Sequence, residues 1–140
     1  MSDKYPKVGL NILIIQNNKI LLGLLTKKWL YQDKQVYGVP GRDLHFQETI
    51  GDGVKRDIKE ELGVEVTKYK IVCINSNYEY RNHYIGIGVV VGIKGEIKLL
   101  KPDDWEKWEW FDINQIPDNL FPDAKNHIKC YLENKICISE

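Results

Sequence analysis

"GRDLHFQETIGDGVKRDIKEELGV", residues 41–64, gathers its acidic side chains towards one end: Asp57, Glu60 and Glu61 sit close together, with Arg56 just ahead and Glu48 upstream. Ile50, Val54, Ile58 and Leu62 recur every four residues, the spacing of one buried helical stripe. Thr49 with Asp52 three residues later resembles a capping box, and Gly63 suits a left-handed C-cap. The spacing therefore predicts a helix over 49–62. Asp57, Glu60 and Glu61 stand at i, i+3 and i+4 on a shared face. At about 100° per residue, Glu61 falls angularly between Ile50 and Val54, at the edge of the apolar stripe. Like charges so placed repel, and partial burial adds to the cost. A fold that keeps them close needs a cation, and a hard divalent ion such as Mg²⁺ takes oxygen ligands of this kind. The competing reading is a solvated acidic face balanced by Lys55, Arg56 and Lys59. Gly51 and Gly53 weigh against it, since each costs about 1 kcal/mol relative to Ala in a helix and leaves room for a close neighbour.

Around this helix, "VGLNILIIQNNKILLGLL" reads as two apolar strands about a polar turn at Gln16–Lys19. "TKKWLYQDKQ" reads as an exposed loop, and "VYGVPG" as a short strand stopped by Pro40 and Gly41. "YKIVCINSNYEY", "HYIGIGVVVGI", "EIKLL" and "WEWFDI" are strand-like. A last helix is predicted from about Pro122 to Asn134, with Ala124, Ile128, Tyr131 and Leu132 at helical spacing. Interleaved strands and helices indicate an α/β or α+β class, a mixed sheet with helices on its faces.

The chain has 140 residues, with 20 Lys plus Arg against 20 Asp plus Glu. That length suits one domain, 1–140, and the balance offers no global field for nucleic acid or membrane. Cys73, Cys130 and Cys137 are odd in number and form no C-x-x-C pair, so they are expected as reduced, small buried residues. "MSDKYPKV" lacks a signal-peptide pattern, and no apolar run reaches the ~20 residues of a membrane span. A soluble cytoplasmic protein is expected. The sequence leaves both a monomer and a homodimer open.

The segment resembles the signature of the Nudix hydrolases, G-x5-E-x7-R-E-U-x-E-E-x-G-U, where U is a bulky aliphatic residue. Arg56, Asp57, Ile58, Lys59, Glu60, Glu61, Leu62, Gly63 and Val64 match its C-terminal half, and Glu48 falls on its first acidic position. The opening hairpin, "VPG" and "WEWFDI...IP" are also similar to nucleotide-cleaving members. The resemblance implies an α/β/α sandwich around a mixed sheet. It also implies Mg²⁺-assisted attack of water on a nucleoside diphosphate linkage, with Mn²⁺ as a second candidate ion. The metal set carried over is Gly41, Glu48, Asp57, Glu60 and Glu61. Asp57, Glu60 and Arg56 are the catalytic candidates on the helix, with Arg56 orienting the carboxylates. Arg42 stands at the signature's first glycine, Asp57 at the glutamate after the arginine, and Gln47 where a glycine is frequent. If the site otherwise keeps family geometry, Asp57→Glu is expected to raise turnover.

A compact chain without an added recognition module resembles the branch that converts nucleoside triphosphates to monophosphate and pyrophosphate. Hydrolysis of a sugar nucleotide or dinucleoside polyphosphate, and a non-catalytic nucleotide-binding module, are the alternatives. Trp29, Tyr37, Phe46 and Phe121 are candidate base platforms. Asn126 is a candidate reader of a base edge, and Arg42 joins them as a substrate contact. Lys27 and Lys28 could meet phosphates. His45, His83 and His127 show no zinc spacing. "KPDDWEKWEWF" offers Asp103, Asp104 and Glu106 before a Trp-bearing strand. Asp104, in a place where some relatives carry a carboxylate that reaches back to the metals, is the candidate general base. Its competing reading is a polar turn after Pro102.

Overall fold

The computed structural model describes residues 5–80 and 82–138. Strand β1 (Lys7–Gln16) turns into β2 (Lys19–Leu25) through Asn17 and Asn18. Their φ angles of 50° and 64° make the mirror-image turn that matches the twist of a two-residue hairpin. A 3₁₀ turn at Lys27–Trp29 leads to β3 (Tyr37–Gly38), α1 (Ile50–Leu62), β4 (Glu65–Tyr80), β5 (Asn82–Lys94), β6 (Trp105–Asp112) and α2 (Pro122–Glu133). The sheet order is β3-β2-β1-β5-β4, with β6 also pairing to β2. β1 runs parallel to β5 and the other pairs are antiparallel, so the sheet is mixed.

Alternation along β1 makes the sandwich. Leu10, Ile12 and Ile14 pack with Val54, Ile58 and Leu62 of α1, whereas Leu13 packs with Ala124 and Ile128 of α2. Successive side chains on a strand face opposite ways, so the two helices cover opposite faces. The result is the α/β/α architecture.

Helix α1 begins where Thr49 accepts the N–H of Asp52 at 3.1 Å. It ends at Gly63, whose φ of 72° lets its N–H reach the Lys59 carbonyl. The glycines inside it do receive neighbours. A Cβ on Gly51 would meet the Tyr69 hydroxyl, and one on Gly53 would lie 3.0 Å from Glu48 Oε1.

Some expected elements differ. "EIKLL" forms no strand: its Lys98 N–H bonds the Leu62 carbonyl at 2.9 Å, so the segment closes the end of α1 and leaves Leu99 and Leu100 exposed. In α2 the inward residues are Ala124, His127, Ile128 and Cys130, because the helix crosses β4 where Cys130 meets Asn75 at 3.3 Å. Tyr131 and Leu132 are exposed. Cys73 and Cys130 are buried and Cys137 only partly so, and none of the three forms a disulfide among the described residues. No described helix is long and apolar enough to cross a membrane.

The hairpin ladder is short, pairing only Ile15 with Ile20 and Gln16 with Lys19. Towards the start of β1 a different segment takes over as neighbour. Ile12 N–H bonds Pro40 O, Leu10 N–H bonds Arg42 O, and Leu44 N–H bonds Val8 O, each at 2.9 Å. Gly41 is the pivot: its φ is 129°, and a Cβ would collide with the Leu10 carbonyl. Only glycine fits. This wedge opens a cleft across the end of the sheet.

Candidate active site

The cleft has a volume of about 580 Å³, and Arg42, Arg56, Glu60, Glu61 and Asp104 are among its lining residues. Two acids of α1 are buried, Asp57 fully and Glu61 to 2% exposure. Glu61 accepts the Gly41 N–H at 2.9 Å and the Trp105 indole N–H at 3.0 Å. Burial nonetheless pushes its carboxyl up to about 7, against those two donors. Asp57 accepts from the Arg42 N–H at 2.8 Å and from the Arg56 guanidinium at 2.7 Å, and burial again raises it.

Arg56 organises the rest. Its guanidinium grips both oxygens of Glu48 at 2.7 and 2.9 Å and reaches the Asp43 carbonyl at 3.2 Å. Such bidentate pairing is strong and directional. It drives Glu48 down to about 2, with the His45 N–H helping, and it raises Arg56 itself. Glu60 stands 3.6 Å from the same guanidinium and is half exposed, which makes it the least restrained of the four carboxylates.

The opposite wall comes from the turn before β6. Asp104 is buried and accepts from Trp29 Nε1 at 2.9 Å, from Lys28 Nζ at 3.4 Å and from the Arg42 guanidinium. Burial pushes its carboxyl up, but Trp29 and the two cations outweigh that and hold it below the usual range. The segment forms the expected turn, since the Asp104 N–H bonds the Lys101 carbonyl, while the Asp104 side chain lines the cleft. Asp103 is exposed and contributes its carbonyl to Thr26 Oγ1 at 2.8 Å. Beside this wall lies a second hollow of about 340 Å³, lined by Lys28, Arg42, Lys101 and Glu60 among others.

Trp29, Arg42 and Phe121 line the main cleft. Three expected substrate contacts do not. Phe46 sits in the turn before Gln47 and is 93% exposed. Tyr37 is partly buried, packing its ring edge-on to Phe111 at 5.1 Å against the core under α2. Asn126 is half-buried on α2, away from the lining residues. Towards the α2 end of the cleft, where Phe121 was expected, the sequence reading missed Asn11, Asn77, Tyr84 and Asp123, which are also lining residues. The one visible signal for them is Asn11, a polar interruption in the apolar run of β1.

Among the described residues no three acidic, histidine or cysteine side chains already form a metal-binding group. The donor chemistry still suits a hard divalent ion. Glu48, Asp57 and Glu60 converge on one guanidinium. Glu61 is a buried carboxyl whose anion a cation would stabilise. The Gly41 carbonyl, unlike those of Pro40 and Arg42, takes no hydrogen bond among the described residues.

Residues 6–133 match the NUDIX domain. The chain is 33% identical over 134 residues to an ADP-ribose pyrophosphatase of Methanocaldococcus jannaschii, covering 94% of this chain and 76% of that protein. It is 28% identical over 131 residues to an oxidized purine nucleoside triphosphate hydrolase of Mus musculus, covering 89% and 78%. Among solved structures, a MutT NUDIX hydrolase from Burkholderia pseudomallei superposes with a TM-score of 0.80 at 23% identity, covering 90% of this chain and 98% of that one.

Proposed function

The chain belongs to the Nudix hydrolase superfamily, and on that premise we propose that it hydrolyses a nucleoside triphosphate to the monophosphate and pyrophosphate with the help of a divalent cation. The observation that carries the choice of substrate is the side hollow beside Glu60. Lys28, Arg42 and Lys101 line it together with Glu60, Asp103 and Asp104, so it brings three cations, two of them held by Asp104, to a place that a pyrophosphate leaving group could occupy.

Divalent ions are general in the family, and the site's carboxylates are the right donors. Glu60 and Glu61 would hold the ion, with Asp57, Glu48 and the Gly41 carbonyl completing the set. When bound, it supplies Lewis-acid stabilisation of charge on the phosphates. Arg56 holds the carboxylates in register and so reduces the reorganisation that reaction requires. Glu60, the least restrained carboxylate, takes the proton of the attacking water. Asp104, already engaged by three donors, is the weaker base and instead positions Arg42 and Lys28. Trp29 and Phe121 give the base flat apolar surface.

A second reading is favoured by the 33% identity to the relative named for ADP-ribose. One assay separates the two: the protein is incubated with Mg²⁺ and either a panel of nucleoside triphosphates or ADP-ribose and sugar nucleotides, and the products are resolved. Monophosphate with pyrophosphate from the first panel is the expected result. Cleavage confined to the second panel would replace the proposal with the ADP-ribose reading.

A further inference from the structure

Trp105 stands at the start of β6, and plain alternation would turn it away from Trp108 and Trp110, which pack against the core under α1. The pairing with β2 is not plain. Leu24 faces Lys107, but the next residue, Leu25, faces Trp105, so Glu106 is an extra residue in the ladder. A bulge of this kind bends the strand and re-aims a side chain. Trp105 accordingly lies against Trp108, with 4.4 Å between ring centroids.

The ring is held on several sides. Leu25 and Val36 are buried with it, and Gly23 leaves the space it fills, since a Cβ there would collide with the ring. Trp105 is 4% exposed. An indole has one donor and no acceptor, and that donor goes to Glu61 Oε1 at 3.0 Å. The Gly41 N–H takes Oε2 at 2.9 Å. As an anion Glu61 has about four acceptor positions, so one N–H on each oxygen fixes the plane of the carboxylate and leaves acceptor capacity for a cation. Burial of an indole in this place does not by itself demand such a bond: Trp108 Nε1, in the adjoining ring, is buried without a partner among the described residues.

We propose that Trp105 is a positioning residue for the divalent cation, acting through Glu61: the bulge at Glu106 aims its indole N–H at Oε1 and holds the carboxylate in a single orientation before the ion arrives. A glutamate left to rotate would have to be ordered when the ion binds, at a cost in affinity. Partners that orient a metal ligand commonly contribute as much as this, and their loss weakens metal binding or activity by roughly 10–100-fold. The inference rests on the assignment of Glu61 as a metal ligand and adds the residue that prepares it.

Metal binding tests it without turnover. Mn²⁺ is titrated into the intact, nucleotide-free protein, and bound ion is read from the loss of the free-ion electron paramagnetic resonance signal. Trp105→Phe, which removes the N–H, should weaken Mn²⁺ binding by roughly 10–100-fold. A second variant covers the case in which the smaller ring unfolds the protein: Trp105 is replaced site-specifically by benzothienylalanine, whose sulfur stands where the indole N–H was. It keeps the bicyclic shape, so it should melt close to the parent without metal and still show the weakened binding. Trp108→Phe removes an indole N–H that bonds nothing and should leave Mn²⁺ affinity close to that of the parent. Weak binding in Glu61→Gln with parent-like affinity in the benzothienylalanine variant would overturn the inference alone. So would an equal loss in Trp108→Phe, which would reduce Trp105 to packing. Parent-like affinity in Glu61→Gln itself would overturn the assignment of Glu61 as a ligand, and this inference with it.

Discussion

The backbone N–H of Arg42 donates to Oδ2 of Asp57 at 2.8 Å, so two positions at which the chain departs from its family's signature are bonded to each other. The demand for a left-handed backbone falls on Gly41, with φ of 129°, and Arg42 is not among the residues of positive φ. A side chain at position 42 is therefore tolerated. The shorter carboxylate of Asp57 is fully buried and still bridges the wedge loop to Arg56.

Asp57→Glu is accordingly expected to lower turnover, reversing the expectation drawn from the signature alone. An added methylene in this filled space forces a shift of the Arg42 backbone or of Arg56, and overpacking of this kind costs about 1–3 kcal/mol. Thermal melting and kcat should fall together. Turnover at or above the parent rate, with an unchanged melting temperature, would mean that the space is looser than its burial indicates.

Gln47 offers a stability test away from the chemistry. Its φ of 62° is left-handed, where an L side chain is strained by about 1–2 kcal/mol. Glycine relieves that strain but has more freedom to lose on folding, about 0.5–1 kcal/mol. Gln47→Gly should therefore stabilise the protein by a net of about 0.5–1 kcal/mol. Denaturant unfolding measures it. A decrease in stability would show that the Gln47 side chain makes a contribution larger than its strain.

Much of the α1 end was legible because helix periodicity and charge spacing are local. The four-residue repeat and the i, i+3, i+4 carboxylates place Asp57, Glu60 and Glu61 without knowledge of any partner. What the spacing could not show is which strand each carboxylate meets. Glu61 is held by Trp105, 44 residues away in sequence, and Asp104 by Trp29, 75 residues away. Asn11, Asn77 and Asp123 line one cleft because parallel pairing sets β1 beside β5 and α2 packs on β4. Tyr37 and Phe46 show the limit of composition, since two aromatic residues look alike in sequence until the fold packs one, on β3, against Phe111 and leaves the other exposed.

Glu60 and Glu61 should separate in a way that sequence spacing does not foresee. Glu60→Gln alters a half-exposed side chain and is expected to abolish most turnover at little cost in stability. Glu61→Gln turns one acceptor into a donor that faces the Gly41 or Trp105 N–H, and an unsatisfied buried donor costs about 1–3 kcal/mol. It should therefore lose activity and melt earlier. Mg²⁺ should raise the parent's melting temperature, by less in either variant, and EDTA should remove the difference. Parent-like Mg²⁺ stabilisation in both variants would exclude them as ligands.

Gly23→Ala probes the support behind Glu61. On β2, a Cβ at this position would collide with the Trp105 ring and lie 2.6 Å from Trp108. These two rings pack at 4.4 Å between centroids, and Trp105 is buried. Little room exists for either to retreat, so a loss of about 1–3 kcal/mol is expected. If Trp105 is pushed off Glu61, kcat falls as well, although Gly23 itself is absent from the cleft lining. Unchanged melting and unchanged kcat would show that the indole pair can shift freely.

Asp104 gives the last test, because its geometry changes the outcome first expected of it. A general base removed by Asp104→Asn would cut kcat by roughly a hundredfold or more and leave KM nearly unaltered. The bonds from Trp29, Lys28 and Arg42 indicate instead a carboxylate that positions two cations. Asparagine keeps an oxygen for the Trp29 indole but loses the charge that holds Arg42 and Lys28. Those cations are then freer to meet phosphate, so KM should fall while kcat drops by less than about tenfold. Asp103→Asn should change neither, since Asp103 contributes its backbone carbonyl to Thr26. A hundredfold loss in kcat at constant KM for Asp104→Asn would return Asp104 to the role of base and leave Glu60 as a metal ligand alone.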